Sequence, residues 1–292
     1  MQTIKAEPMQ QDLKPPELYQ STPLRPTRTV VAAPDKISVP ALPLNTLLAK
    51  RYELKYRVPE HVAVAIRSYI KSFLQPDPYT ARQPSGQYPI SSLYLDSQHL
   101  QLFQETIVDK CNRFKLRIRG YDDDPNSPVF FEIKRKLNRI VYKSRAKVHK
   151  SQVKSILSGS YIPDNLPEKD RAALQQFMHY CRCLSAKPVV LVRYQREAYE
   201  NRSDSKVRIT FDRELYYHPA EDAMVKLNGP GWVKIPIDFV VLEIKFTARF
   251  PGWIKQMVQM FNLNRQSMSK YCSSVSQLVP AATTGYTMPR LK

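Results

Sequence analysis

The chain has 292 residues, enough for one large domain or two small ones, with 45 Lys and Arg against 26 Asp and Glu. The formal charge of +19 predicts an anionic partner: nucleic acid, a lipid surface or phosphorylated small molecules. Four well-separated or C-x-C cysteines exclude a disulfide scaffold, and no apolar run reaches membrane-spanning length.

Residues 1–47 hold 8 of the 24 prolines and no periodic pattern, so they are expected to be a disordered tail. A folded domain is expected over 48–279, followed by a flexible tail over 280–292. The first strand is RYELKYRV (51–58), stopped by Pro59. Val62, Ile66, Tyr69, Ile70 and Phe73 then recur at helical spacing over 60–74. ISSLYLD (90–96) reads as a strand, and Asp96 or Ser97 can cap a short helix over 98–107. Strands follow at 112–121, 128–136 and 139–148, with the loop DDDPNS between the first two. Helices are predicted over 149–158 and 167–184. Further strands are predicted over 188–199, 205–215 and 237–246, with a turn at NGPGW (228–232), and helices over 251–263 and 265–279 close the chain.

The strands share one device. In NRFKLRIRG, Lys115, Arg117 and Arg119 alternate with Phe114, Leu116 and Ile118, so the cations share a face. Arg51, Glu53, Lys55 and Arg57 oppose Tyr52, Leu54, Tyr56 and Val58. Glu132, Lys134 and Lys136 oppose Phe131 and Ile133. Lys143, Arg145 and Lys147 share a face, as do Lys206, Arg208 and Asp212, and Glu243 with Lys245. Tyr194 and Arg196 align likewise. One wet face is ordinary for a single antiparallel strand. Across a run of strands, fifteen cations face only Glu53, Glu132, Asp212 and Glu243. Adjacent like charges destabilise a sheet, and a bound polyanion removes that cost. The expected fold is therefore α+β: an antiparallel barrel or trough, apolar outside under helices and cationic inside. Its arginines would grip phosphate oxygens in bidentate fashion.

These strands resemble the catalytic domain of the vacuolar transporter chaperone (VTC) family, within the triphosphate tunnel metalloenzyme superfamily. The resemblance runs from about residue 50 to 276. It is carried by ELKYRV, SSLYLD, FKLRIRGY, FFEIKRK, VYKSRAKV, RYQREAY, KVRITFD, VVLEIKF and SMSKY, in the family's order. It implies a closed antiparallel tunnel of about eight strands, helices packed outside, and transfer of the ATP γ-phosphoryl group onto inorganic polyphosphate. Matched motif by motif, it assigns catalytic roles to Lys55, Arg117, Arg119, Lys134, Arg196, Arg208 and Lys270. Phosphate or nucleotide binding falls to Lys143, Arg145, Tyr194, Lys245 and Ser269. A Mn²⁺ or Mg²⁺ cofactor would be held by Glu243, with Glu132 as a second candidate. The superfamily's hydrolases begin with E-x-E-x-K, whereas this chain has Arg51-x-Glu53-x-Lys55, which favours polymerisation over hydrolysis.

Two rival readings use the same tunnel: a triphosphatase, with water as acceptor, and a polyphosphate-binding module without turnover. A nucleic-acid partner is not expected, because the cationic faces lack interleaved aromatics for base stacking. A cytoplasmic protein is expected, with docking to a membrane partner at the inner face of a membrane left open. The Asp122–Asp124 run reads as a hairpin loop, not a calcium loop, since the remaining EF-hand spacing is missing.

Overall fold

A computed structural model describes residues 51–137, 140–201, 207–247, 250–266 and 268–278. The two expected tails, 1–47 and 280–292, and Lys206 lie outside the described residues, and the side chain of Arg51 does too. In chain order the elements are β1 (Arg51–Val58), α1 (Glu60–Ile70), β2 (Gln75–Pro76), α2 (Pro78–Arg82), β3 (Tyr88–Asp96), α3 (Gln101–Ile107), β4 (Asn112–Gly120), β5 (Pro128–Leu137) and β6 (Ile140–His149). Then come α4 (Val153–Leu157), α5 (Glu168–Leu184), β7 (Lys187–Glu200), β8 (Val207–Pro219), β9 (Val233–Lys234), β10 (Val240–Thr247), α6 (Gly252–Met260) and α7 (Lys270–Leu278).

Eight strands form one antiparallel path, β1-β10-β8-β7-β3-β4-β5-β6, and the two-residue β2 and β9 pair at its side. The expected closure is corrected in one respect. No ladder joins β6 to β1, so the sheet is not closed by backbone hydrogen bonds. The two edge strands still approach each other. Lys134 of β5 reaches over this seam to Glu53 of β1, Nζ to Oε1 at 2.9 Å. Side chains thus bridge where the backbone does not.

The alternation read from the sequence sorts the two faces. Tyr56, Ile209, Phe211, Leu242 and Ile244 turn outward under Ile66 and Ile70 of α1 and Ile254 and Met257 of α6. On the opposite side, α5 sets Phe177 edge-on against Phe131, and Tyr180 against Phe114. The expectation that all helices lie outside fails at α7. Met268, Tyr271, Cys272 and Val275 pack with Tyr94, Val190, Val192 and Tyr194, on the face that also carries Arg196. The inner face is therefore apolar and aromatic at one end and cationic elsewhere. The alternation of β3 and β7 is too apolar on both faces to distinguish an inner helix from an outer one.

Element ends differ where the pattern was weak. The region expected as a helix over 149–158 is a single 3₁₀ turn, Lys150–Gln152, followed by α4. The final helix starts at Lys270, not 265, because Arg265 makes a bridge to Tyr56 of β1. The last long strand starts at Val240, not 237. Gly231 belongs to the predicted turn for a steric reason: at φ +86°, an added Cβ would stand 2.6 Å from the His218 ring. In the aspartate loop, Asp123 accepts the backbone N–H groups of Leu227 and Asn228 at 2.8 and 2.9 Å, and this ties two loops together.

Asp96 caps as expected and does more. Its buried carboxylate accepts the N–H groups of Ser97, Leu102 and Phe103 at 2.7–2.9 Å, and Tyr271 of α7 donates to it at 2.5 Å. It joins β3, α3 and α7 in one contact. Asp96→Ala should lower stability by about 3 kcal/mol, since a helix cap is lost and several buried donors are orphaned. The shift in urea midpoint at unchanged m-value measures it.

Candidate functional site

The inner face carries a linked network of polar contacts that runs through every long strand except β6 and β3 and is open between Glu132 and Lys134 of β5. From Glu53, contacted by Lys134, it passes to Lys55 at 3.3 Å, whose Nζ lies 3.1 Å from Glu243 of β10. Glu243 Oε2 takes Lys245 at 2.5 Å, and its Oε1 lies 3.5 Å from Lys270 of α7. Lys270 Nζ also meets Asp212 of β8 at 2.5 Å. Asp212 receives Arg196 of β7 as a two-pronged fork, Nε at 2.6 Å and Nη2 at 2.7 Å. Arg196 and Lys270 both stand over the Tyr194 ring, 5.3 and 4.7 Å from its centre. The Tyr194 hydroxyl accepts from Arg119 of β4 at 3.5 Å. Beside Arg119, Arg117 donates to Glu132 of β5 at 2.8 Å, and Lys134 two residues on returns to Glu53. β3 lines the gap with Ser92 and Tyr94, which accept from Arg119 and Arg117 at 3.4 and 3.3 Å.

The remaining cations attach at the edges of this network. Lys143 and Arg145 of β6 reach Glu132 at 2.6 and 3.3 Å. Lys115 donates to Ser269 Oγ at 2.7 Å, just before α7. Arg208 stands apart from the central carboxylates. It pairs with Glu200 and, at 2.5 Å, with buried Asp77, and it touches the Tyr88 hydroxyl. Lys136 turns to Asp109 in the loop after α3, and Lys147 is exposed. Twelve of the fourteen site residues named from sequence and family pattern therefore join one linked network. Ser269 meets Lys115 beside it, and Arg208 occupies a neighbouring cluster.

Among the inner-face groups in these contacts, Glu53, Asp212, Lys115, Ser92 and Tyr94 received no role from motif matching. Asp212 and Lys115 were legible as members of the charged face. Tyr94 was not, since a tyrosine on the Ser92–Asp96 side of SSLYLD fits either a wet or a packed face, and only the packing of α7 and the contact with Arg117 show its role.

Burial alone would raise all four inner carboxylates. Lys134 and Lys55 hold Glu53 below the ordinary range, and Arg196 and Lys270 hold Asp212 below it. Lys245, Lys55, Lys270 and Arg196 hold Glu243 well below it, and Arg119, Arg117 and Lys143 do the same for Glu132. All four stay ionised at neutral pH. Even so, ten basic side chains (Lys55, Lys115, Arg117, Arg119, Lys134, Lys143, Arg145, Arg196, Lys245, Lys270) share the space with these four acids. The surface therefore carries a net positive charge, which suits an anion.

Tyr94 is a readable probe of this field. Burial would raise its phenol, but Arg117, Lys115 and Arg119 bring it down to about 8. A depressed folded-state value adds stability that is fully present above the ordinary tyrosine value near 10 and is lost as pH falls through about 8. The free protein should therefore gain stability between pH 8 and 10. Tyrosinate absorbance should show a single step near pH 8 that Tyr94→Phe removes and that bound tripolyphosphate moves upward.

For a metal, the donor set matters. Among the described residues, no three His, Cys, Asp or Glu side chains group to hold an ion on protein ligands alone. Mg²⁺ and similar ions commonly take one or two carboxylates and complete their shell with substrate phosphates. Glu243, with Glu53 and Asp212 each one lysine away, suits an ion that enters with the phosphates. The four cysteines form no disulfide. No helix of the described residues is long and apolar enough to cross a membrane.

The chain is similar to known proteins to different degrees. The vacuolar transporter chaperone complex subunit 4 of Schizosaccharomyces pombe is 22% identical over 77% of this chain, and the match spans 35% of that protein's length. Among solved structures, a Hippeastrum protein described as having a dominant triphosphatase activity aligns with TM-score 0.44 and 12% identity, over 82% of this chain and 98% of its own. The PH1819 protein of Pyrococcus horikoshii aligns with TM-score 0.41 and 12% identity, over 78% of this chain and 99% of its own. Residues 50–279, nearly all of the strands and helices described above, match the family model for the VTC domain, and the chain belongs to that family.

Proposed function

We propose that this chain is a polyphosphate polymerase, which transfers the γ-phosphoryl group of ATP to the end of an inorganic polyphosphate chain and releases ADP. The observation that carries this reading is the linked network of cations on the inner face, far in excess of its four carboxylates. Phosphoryl transfer asks for in-line placement and charge stabilisation more than for a covalent nucleophile. The acceptor is already an anion, so no strong general base is required, and no histidine stands in the network.

In this reading Arg119 and Arg196 grip nonbridging oxygens of the transferred group, and Arg117 holds the register of that wall. Lys55, Lys134 and Lys245 neutralise the nucleotide phosphates from the β1 and β10 side. Lys143 and Arg145 extend the basic surface along β6. Lys270, poised by Asp212 and stacked over Tyr194, steers one chain end, with Ser269 beside it. Arg208 contributes once phosphate competes it away from Asp77 and Glu200. Glu243 is the residue that would hold Mn²⁺ or Mg²⁺, which when bound offsets charge on the phosphate oxygens.

Incubation of the purified chain with ATP and Mn²⁺, with product length read on a gel, tests the reading. Long chains with stoichiometric ADP are expected, and Glu243→Gln should abolish them. Free phosphate as the only product would mean a triphosphatase. Tripolyphosphate binding without any turnover would mean a binding module.

A further inference from the structure

Glu132 sits at the meeting point of three strands. Its side chain has no exposed surface. Oε2 receives Arg117 through Nε at 2.8 Å and Nη2 at 2.7 Å, and Arg119 Nε stands 3.9 Å away. Oε1 lies 2.6 Å from Lys143 Nζ and 3.3 Å from Arg145 Nε, both as ion pairs without hydrogen-bond geometry. The register explains this convergence: Arg117, Glu132 and Arg145 lie directly opposite one another across β4, β5 and β6. Without a carboxylate in the middle strand, four cations from the flanking strands would face each other across it.

A divalent ion bound to Glu132 would have to sit within about 2–2.6 Å of an oxygen that already serves two cations. Glu243 differs: its cations come from lysines, which have flexible stems, and from one more distant guanidinium at 3.8 Å. Arg117 spends two donors on Glu132, whereas Arg119 keeps its guanidinium clear of close carboxylates. Glu132 thus locks one arginine and, by balancing charge, lets its neighbour remain available.

We propose that Glu132 is a positioning residue, not a metal ligand: a buried counter-charge that fixes Arg117 and spaces Arg119, Lys143 and Arg145 to receive phosphate oxygens. This rests on the polymerase reading only for its effect on turnover. Its effect on anion binding stands independently of the reaction.

The test is Glu132→Gln in the full chain, with tripolyphosphate as the calorimetric binding probe and ATP turnover followed at varied Mn²⁺. The free variant should melt at a lower temperature. It should bind tripolyphosphate about tenfold more tightly, because one negative charge has left a low-dielectric wall. Turnover should fall by about 10²-fold because the guanidinium groups are no longer fixed. The Mn²⁺ concentration for half-maximal activity should not move. Unchanged or weaker tripolyphosphate binding, or an increased Mn²⁺ requirement, would overturn the proposal. If no chain, wild type included, makes polymer, the function fails while the binding result still decides the role of Glu132. Should the single variant not fold, Glu132→Gln with Lys143→Met restores the charge balance. Recovery of the fold supports the proposal, and failure to recover it even with tripolyphosphate overturns it.

Discussion

Asp212→Ala should cost about 3–5 kcal/mol of stability, and tripolyphosphate should return a large part of it. The first half follows from burial. Asp212 is 2% exposed and holds both prongs of Arg196 and the ammonium of Lys270. Removing it leaves two buried cations facing each other, and breaking a buried pair from one side typically costs that amount. The second half follows from what the site is for. An anion bound between Arg196 and Lys270 replaces the lost carboxylate, so the variant should gain more from ligand than the wild type does. Saturation at a hundredfold the dissociation constant is worth about 2.7 kcal/mol by mass action alone. Urea melts of both proteins, with and without tripolyphosphate, give the comparison. Equal ligand-induced gains in the two proteins would mean that no phosphate sits between Arg196 and Lys270.

The opposite signature is expected at Arg119. Arg119→Met should lower turnover by about 10²–10³-fold, the usual effect of deleting one preorganised donor to a developing anion. It should change stability only slightly. Arg119 is 6% exposed, and its contacts are long: 3.4 Å to Ser92, 3.5 Å to Tyr194 and 3.9 Å to Glu132. Burial and the adjacent Arg117 oppose its charge in the free protein, and Tyr194, Glu132 and Tyr121 somewhat more than offset them, so its pKa stands above the ordinary arginine value. A buried cation with weak partners contributes little to the fold and much to a ligand that completes it. Steady-state rates with ATP and Mn²⁺, set beside melting temperature, separate the two effects. A stability loss comparable to that of Asp212→Ala would show that Arg119 is structural.

The two sites show how far a pattern can be read. Lys115, Arg117 and Arg119 alternate with apolar residues, so their common face was visible before any fold was known. The same parity placed Glu53, Glu132, Asp212 and Glu243 among the cations. Parity cannot say which acid meets which cation. Glu132 and Glu243 have the same pattern in their strands, yet one is enclosed by guanidinium groups from both flanking strands and the other is served mostly by lysines. That difference comes from register, which depends on pairing partners far apart in the chain.

The amino-acid sequence by itself determined the strands, the side each presents, the excess of positive charge on one side, and the family. The strands, their faces and the charge excess depend on local periodicity and composition, which need no knowledge of distant residues, whereas the family rests on a resemblance carried by nine motifs in order. The tertiary structure alone decided that β1 and β6 meet without a ladder, that α7 packs inside while the other long helices pack outside, and that Arg208 turns to Asp77 instead of the central acids. Each of these is a contact between segments remote in the chain. Its energy lies in the burial and charge pairing that arise only when the segments are brought together.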